Sequence, residues 1–361
     1  MTTRQNHPRR SRLGSWLKRP SHTRVTAANV AVVVAAAGLT STAGLVVGDL
    51  LPKPAPTDVI VASRVIAVVI MFVILVSVLT LRGRMHRVTG TLFYLNVLDE
   101  DWEDRRQEAA RTAAAQHQAF RSVSRWVDLH HRTSPEGVIE VADIAREVGV
   151  TIEDLINLDT PQTGYTVAPN MPWPLALAVG THLPAPPGLR VAQFYDDEPV
   201  DSFPLAAPRQ QLTRHDHRTI GSGGRIGVWL AFTAAAEKFT IEQFSAFGAG
   251  DVHVISAEQG PPTAQRPARR LTAAELASLP AELAEYLVTF RTEADRQQRE
   301  LVVVAMIPSS VALAVGWRLA RHRCRFFSGT HLMHYDQKRG LLPMRARESQ
   351  PGHPPAPVAY A

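Results

Sequence analysis

The chain has 361 residues, a formal net charge of +6 and a hydrophobic fraction of 45%, so it is long enough for two or three domains and too polar to lie wholly in a membrane. Only four lysines occur (Lys18, Lys53, Lys238 and Lys338), and none forms a Gly-Lys-Ser/Thr triplet, which excludes a P-loop. Cys324 is the only cysteine, which excludes an intrachain disulfide and a thiolate zinc cluster and suits a reducing cytosol.

Two apolar runs predict a transmembrane helical hairpin over residues 25–81. The run from Val25 to Gly48 carries no charge and exceeds the roughly 20 residues needed to cross a bilayer. It is also too long for the apolar core of a signal peptide. The second run, Val59–Leu81, is interrupted only by Arg64. This arginine is expected to reach the headgroups, or alternatively to lie inside an oligomeric pore.

Flanking charges predict the orientation of the hairpin. Residues 1–24 form a basic tail with seven Lys/Arg and no acidic residue, and three arginines follow Leu81. The loop between the helices has only Lys53. The positive-inside rule therefore places both termini in the cytoplasm.

The first predicted helix carries small residues at every fourth position: Ala36, Thr40, Gly44 and Gly48. Such a face lets two helix backbones approach closely. The second helix is bulky all round. The partner of the small-residue face is either this second helix or a helix of another chain.

Residues 82–160 contain an acidic cluster followed by an alanine-rich stretch, and they predict a helical stalk or linker. Within them, the segment at 138–158 has an Ala-x-x-x-Gly turn between two short helices, which is typical of a helix-turn-helix. Its second helix carries Glu153 and Asp154 and no arginine, which disfavours phosphate contact. A small packed helical unit is the alternative to DNA binding.

An internal repeat predicts a duplicated α/β domain over residues 161–345. The segment MPWPLALAVGTHL begins at Met171, and IPSSVALAVGWRL begins at Ile307, 136 positions later. Both contain Ala-Leu-Ala-Val-Gly, and both are followed by a Tyr-Asp pair. Gene duplication explains the matches better than chance does.

The pattern within this domain predicts alternating strands and helices. A strand-loop-helix unit exposes backbone N–H groups at the helix N-terminus, and two such units would form a pseudo-symmetric cleft for a polyphosphate ligand. A proline-rich linker at 258–270 is predicted to separate the halves, and residues 346–361 are predicted to be a disordered tail. The predicted strands are Ile226–Phe232, Asp251–Ala257, Leu301–Met306 and a strand near Arg325–His334, and the predicted helices are Thr233–Phe247, Thr272–Arg296 and one opened by Pro308.

Signatures of catalysis are missing from the sequence. HExxH, GxSxG and paired CxxC motifs do not occur. The His-x-His of Arg214–Arg218 is interpreted as part of an exposed loop, because a metal site needs more ligands. The glycines of Gly221–Gly227 lack the dinucleotide-binding spacing. The sequence therefore favours a binding domain over an enzyme, with no cofactor and no metal.

Residues 161–345 resemble a SAVED domain. The resemblance rests on WPLALAVGTHL, IGVWLAF, and LVVVAMIPSSVALAVGWRL followed by HLMHYD. It implies two fused CARF-like (Rossmann-like) units that sense a cyclic oligonucleotide in bacterial anti-phage (CBASS) signalling. The layout is similar to the branch of that family with two N-terminal transmembrane helices, which implies a location in the bacterial inner membrane.

The resemblance also implies where the ligand binds, namely over the helix N-termini of both copies. Tyrosines would stack on bases, and cationic side chains would neutralise phosphates. The residues so implied are Pro172, Trp173, Pro174, Tyr195, Arg225, Thr233, Lys238, Pro308, Ser309, Ser310, Arg318 and Tyr335.

The function expected from the sequence is that of a membrane-anchored effector without catalysis. It would bind a cyclic oligonucleotide, most simply a cyclic trinucleotide with adenine, then assemble into homo-oligomers and disrupt the membrane to abort infection. Two alternatives stay open: a membrane-bound transcriptional regulator that uses residues 138–158, and an anchored nucleotide hydrolase.

Overall fold

The computed structural model describes residues 30–34, 36–38, 40–41, 58–88, 90–99, 102–116, 118–159, 164–184, 188–195, 198–322, 325–336 and 339–355, without the side chains of 58–65, 82–88 and 198–201. The chain divides into two compact units. The first comprises the residues up to Thr91 with short segments at 113–119 and 162–164, and the second comprises the rest.

The described residues of the first unit up to Val88 are helical. Helix α1 spans Asp58–Val88, and residues 30–34, 36–38 and 40–41 are also helical. Gly38 lies against α1, since a Cβ atom there would be 2.5 Å from the Cε atom of Met71. In the part of the chain that the structure describes, no helix is both long and apolar enough to cross a bilayer. Gly44 and Gly48 lie outside the described residues, and the hairpin stays a prediction.

The second unit is an α/β structure built on two sheets. Its strands are β1 Thr91–Leu98, β2 Ala119–Trp126, β3 Ile139–Glu140, β4 Tyr165–Asn170, β5 Arg190–Tyr195, β6 Glu198–Pro204, β7 Thr213–Ala231, β8 Ala249–Ala257, β9 Leu301–Met306, β10 Thr330–Asp336 and β11 Gly340–Arg345. Its helices are α2 Arg106–Ala115, α3 Ala142–Leu158, α4 Trp173–Gly180, α5 Ala273–Arg296 and α6 Ser309–Leu319, with 3₁₀ helices at Ala234–Lys238 and Ile241–Phe247.

The two sheets repeat one strand order. The first reads β2-β1-β4-β5-β6, and the second contains the equivalent β8-β7-β9-β10-β11, with β3 added beside β11. In each copy a parallel pair (β4–β5 or β9–β10) is followed by an antiparallel hairpin (β5–β6 or β10–β11). The structure therefore confirms the duplication and extends it upstream to β1.

The extended repeat corrects the interpretation of residues 82–160. The prediction of a helical stalk is wrong from residue 91 onward, because β1 and β2 belong to the first sheet. All eight residues of β1 are buried. The alanine-rich stretch does form a helix, α2, but this helix only connects the two strands. The linker at 258–270 likewise connects β8 to α5 within the second copy rather than separating the copies.

The helix-turn-helix prediction is also wrong. Residues 142–158 form the single helix α3, with a buried apolar face and with Gly149 inside it. A Cβ atom at Gly149 would lie 2.5 Å from the ring of His182, so this glycine allows close packing and does not form a turn. Helix α3 packs on α4 as α5 packs on α6, which makes α3 the first copy's counterpart of α5.

Helices α4 and α6 cross at the repeated Ala-Leu-Ala-Val-Gly segment. A Cβ atom at Gly180 would lie 2.1 Å from the carbonyl oxygen of Leu313, and one at Gly316 would lie 1.9 Å from that of Leu177. Leu177 and Leu313 are equivalent positions of the repeat, as are the two glycines. The contact is therefore reciprocal, as at a two-fold interface. The copies retain identical residues here because only glycine allows this approach.

Three further predictions differ from the structure. The predicted helix 233–247 is two 3₁₀ helices, because Thr240 caps a new helix and Phe239 and Phe244 pack into the core of the second sheet. The His-x-His segment pairs with β8 within the hairpin β7–β8 and is not a loop. Residues 346–355 are ordered, with Gln350 only 4% exposed, whereas residues 356–361 lie outside the described part. The other predicted strands and helices are confirmed to within a few residues.

Candidate ligand-binding site

The candidate site is a cavity of about 630 Å³ at the carboxyl ends of strands from both sheets. Open parallel sheets bind ligands at this edge, and the volume is typical of ligand pockets, roughly 300–1,000 Å³. The lining residues follow β1, β2 and β7 or lie at the carboxyl ends of β4 and β10. They are Asp99, Trp102, Glu103, Arg105, Leu129, Asn170, Ala234, Ala235, Glu237, Lys238, His334 and Tyr335.

The segment after β1 is held by a buried polar network around Tyr94. The Tyr94 hydroxyl accepts hydrogen bonds from the Arg105 backbone N–H (3.0 Å) and from Asn170 Nδ2 (2.9 Å), and it donates to Asp104 (3.0 Å). Burial, together with the Asp104 carboxylate, raises the pKa of Tyr94 well above its ordinary value, so the hydroxyl keeps its proton. Asn170 Nδ2 also lies 2.9 Å from the Glu103 carbonyl oxygen, which fixes this segment to the end of β4.

The walls of the cavity combine charges of both signs with aromatic rings. Arg105 and Lys238 are cationic, whereas Asp99, Glu103 and Glu237 are anionic. The ring centroids of Trp102 and His334 lie 6.3 Å apart. Aromatic rings offer surfaces on which nucleobases stack, and cations bind phosphates. Carboxylates accept hydrogen bonds from exocyclic amines and sugar hydroxyls.

The helix N-termini predicted as ligand sites are occupied by protein contacts. Trp173 is buried, with its Nε1 atom 3.3 Å from the Met333 carbonyl oxygen. Ser309 Oγ donates to the Pro169 carbonyl at 3.0 Å, and Ser310 is fully buried and bonded to Gln193. These side chains join the two copies, as the packing of α4 on α6 requires. Pro172 and Pro308 cap the helices, and Pro174 is buried.

Of the twelve predicted residues, Lys238 and Tyr335 line the cavity. Thr233 immediately precedes the lining residue Ala234, and its backbone N–H donates to the Met306 carbonyl at 3.0 Å. Tyr195 donates to the Leu271 carbonyl (3.3 Å) beneath the guanidinium of Arg270.

The two predicted arginines lie elsewhere. Arg225 pairs with Glu300 at 2.8 Å near the amino end of β9, at the edge opposite the cavity. Arg318 lies in the last turn of α6, and its Nη2 atom donates to the backbone carbonyls of Leu205 and Ala207. The structure does not bring either guanidinium to the cavity.

Sequence reasoning missed the segment after β1, including Trp102 and Arg105. A signal was present: the run LFYLNVL (Leu92–Leu98) is apolar and aromatic and is followed by polar residues, like IGVWLAF in the second copy. Asn170 carries a similar signal, since it directly ends the strand TVAPN.

A cavity at the carboxyl ends of strands from both sheets of a duplicated α/β domain is an arrangement that can hold a small ligand. The model of the SAVED family, the SMODS-associated and fused to various effectors sensor domain, matches residues 116–327, which is more than half of the chain. The chain belongs to the SAVED family.

Comparisons with other proteins give two further findings. No curated protein matches the chain. Among solved structures, the chain is similar to the Acinetobacter baumannii Cap4 SAVED/CARF-domain containing receptor with the cyclic trinucleotide 2'3'3'-cAAA (14% identity, 78% of this chain, 56% of that chain, TM-score 0.42). It is also similar to the Moraxella osloensis Cap4 receptor (12% identity, 79% of this chain, 59% of that chain, TM-score 0.37). The chain therefore spans less than two thirds of the length of these receptors.

Proposed function

We propose that this chain is the receptor for a cyclic oligonucleotide, most simply a cyclic trinucleotide with adenine, and that it acts as a non-catalytic membrane effector of CBASS anti-phage defence. The observation that carries the proposal is the cavity at the carboxyl edge of both sheets in a SAVED-family domain. Its two cations and its aromatic pair match the phosphates and bases of such a ligand, and its carboxylates match adenine amino groups.

Titration of the purified full-length chain with cyclic di-, tri- and tetra-adenylates tests this proposal. We expect one of these rings to bind with a dissociation constant at least tenfold below the others, and to be recovered intact. Light scattering during the same titration reports assembly. Binding of none of them, or steady turnover of the bound nucleotide, would contradict a non-catalytic receptor of this class.

Trp102→Ala should weaken ligand binding by roughly tenfold or more, because stacking of one base on an aromatic ring contributes about 1–3 kcal/mol. Trp126→Ala is the matched control, since Trp126 is 66% exposed on β2 and does not line the cavity. Isothermal titration of both variants measures the effect. Equal loss of affinity in the two variants would remove Trp102 from the binding site.

Three observations support the proposal that the chain is anchored in a membrane. The run 25–48 lacks charge, and ten Lys/Arg lie at the two ends of the predicted hairpin against one, Lys53, in its loop. Along α1, the side chains of Ile70, Phe72 and Val73 are each more than half exposed. Contiguous exposed apolar surface is typical of contact with lipid or with another chain.

Assembly through the first helix is supported by the position of Gly38. In a helix with 3.6 residues per turn, Gly38 lies about 200° around the axis from Ala36 and from Thr40. Gly38 contacts Met71 of α1, so Ala36 and Thr40 face away from that contact, and Thr40 is exposed. The described part of the small-residue face, Ala36 and Thr40, is therefore available to a second chain. Ligand-driven clustering would raise the local concentration of these helices and disrupt the membrane.

Reporter fusions test the predicted topology. An alkaline phosphatase fusion after Ala55 should be active in the periplasm, whereas a fusion at the C-terminus should be inactive there, because the positive-inside rule retains both arginine-rich flanks. A fluorescent protein that matures only in the cytoplasm serves as the reciprocal control. Periplasmic phosphatase activity of the C-terminal fusion would refute the orientation.

A further inference from the structure

Outside the ligand cavity, three metal-ligating side chains meet at the amino-terminal edge of the second sheet. Glu300 immediately precedes β9, His331 is the second residue of β10, and His353 belongs to the segment after β11. Their ligating atoms all lie within 4.8 Å of one another. They come from three separate parts of the chain, so only the fold brings them together.

Both imidazoles lie against the Glu300 carboxylate, at distances near those between the ligands of a zinc ion. His331 Nε2 lies 3.2 Å from Glu300 Oε2, and His353 Nε2 lies 3.7 Å from Glu300 Oε1. Zinc ligands at about 2.0–2.2 Å in tetrahedral geometry lie roughly 3.3 Å from one another.

Neighbouring groups already orient two of the three ligands. His353 Nδ1 lies 3.2 Å from the Pro354 carbonyl oxygen, and donation there leaves a lone pair on Nε2. Arg225 Nε donates to Glu300 Oε2 at 2.8 Å, which holds the carboxylate and leaves Oε1 toward His353. Outer partners of this kind are characteristic of metal sites.

The segment that carries His353 is fixed independently of the cluster. Gln350 is only 4% exposed, its Nε2 atom lies 3.3 Å from the Thr330 carbonyl oxygen, and its Oε1 atom accepts the Ala346 N–H at 2.8 Å. Thr330 precedes His331 in β10, so Gln350 holds the segment beside that histidine, and the ring centroids of His331 and His353 lie 5.4 Å apart. His331 itself is 3% exposed, whereas His353 is exposed and leaves an entry path and room for water as a fourth ligand.

We infer that Glu300, His331 and His353 form a binding site for a divalent transition metal, most simply Zn²⁺. Two imidazoles with one carboxylate are a ligand set that zinc uses in proteins. The bound ion would fasten the C-terminal segment to the second sheet. This inference departs from the sequence-based expectation of no metal, which rested on local motifs and on the His-x-His segment of β7 and not on ligands from distant parts of the chain.

Titration of the EDTA-stripped full-length chain with ZnCl₂, in competition with a chromophoric chelator, tests the inference. We expect His353→Ala to remove one bound zinc per chain or to weaken it at least tenfold. His322→Ala is the matched control, because His322 is exposed at the end of α6 and should leave binding unchanged.

A thermal melt provides a second readout, because an ion that binds only the folded state raises its melting temperature. Zinc should raise the melting temperature of the parent and of His322→Ala more than that of His353→Ala. His353 is exposed, so its variant should fold. Identical zinc affinity and identical thermal shift in all three proteins would overturn the inference.

Discussion

Gly316→Ala is expected to destabilise the α/β unit more than alanine at Gly149 or Gly180 does. The new Cβ atom would lie 1.9 Å from the carbonyl oxygen of Leu177, and backbone atoms cannot yield as a flexible side chain does. Helices α4 and α6 must then separate, and both are buried along nearly their whole length. Overpacking of this kind costs about 3 kcal/mol or more, which for a unit of this size lowers the melting temperature by roughly 10 °C.

Gly221→Ala is the matched control for this prediction. Gly221 also has a non-positive backbone φ angle, and a Cβ atom there meets nothing within 4 Å. We expect its melting temperature, measured by differential scanning fluorimetry of the full-length chain, to stay within about 2 °C of the parent. Gly180→Ala should resemble Gly316→Ala, because its Cβ atom would meet Leu313 in the reciprocal contact. A parental melting temperature for Gly316→Ala would show that the helices do not cross at this position.

The same crossing explains why the repeat was recognisable from sequence. Strands of a buried sheet need only apolar side chains, so β1 and β7 perform equivalent roles with no residue identity that reveals them. The crossing helices need glycine at one position and small or apolar residues around it, so the copies keep Ala-Leu-Ala-Val-Gly. Duplication was thus predictable at α4 and α6 from identical residues, whereas its true beginning at β1 is marked only by an apolar pattern.

Errors in the interpretation of local structure share one cause: tertiary packing overrode a local pattern. Gly149 reads as a turn, but it lies inside α3 because the His182 ring needs its space. The segment 233–247 has helical propensity, but Phe239 and Phe244 enter the core of the second sheet through two short 3₁₀ helices. The polar, proline-rich C-terminus reads as disordered, but Gln350 forms buried hydrogen bonds to Thr330.

The candidate site was predictable at the level of the sheet edge but not of the side chains. The SAVED resemblance implied Lys238 as a phosphate-neutralising cation and Tyr335 as a base-stacking ring, and both line the cavity. The expectation that helix N-termini stay open failed at α4 and α6, because Trp173 and Ser309 are used in contacts between the copies. Which N-termini are covered depends on how the two copies pack, and no local pattern encodes that.

Lys238→Glu is expected to abolish ligand binding without affecting the fold. Lys238 lines the cavity, as do the carboxylates of Asp99, Glu103 and Glu237. Replacement by glutamate removes one of two lining cations and adds a fourth carboxylate, so a polyphosphate would meet a strongly anionic wall. Like-charge juxtaposition costs several kcal/mol in a partly desolvated site, so we expect affinity to fall by about a hundredfold or more.

Two variants separate this effect from a general change in charge. Arg121→Glu makes the same charge change at an exposed position on β2 that does not line the cavity, and its affinity should stay within about threefold of the parent because distant surface charges are screened by salt. Lys238→Arg keeps the cation and should bind almost as well as the parent.

Isothermal titration at physiological ionic strength, with the melting temperature of each variant measured alongside, provides the comparison. Parental affinity in Lys238→Glu would place the ligand outside this cavity, whereas equal losses in Lys238→Glu and Arg121→Glu would show that net charge, and not the position of Lys238, governs binding.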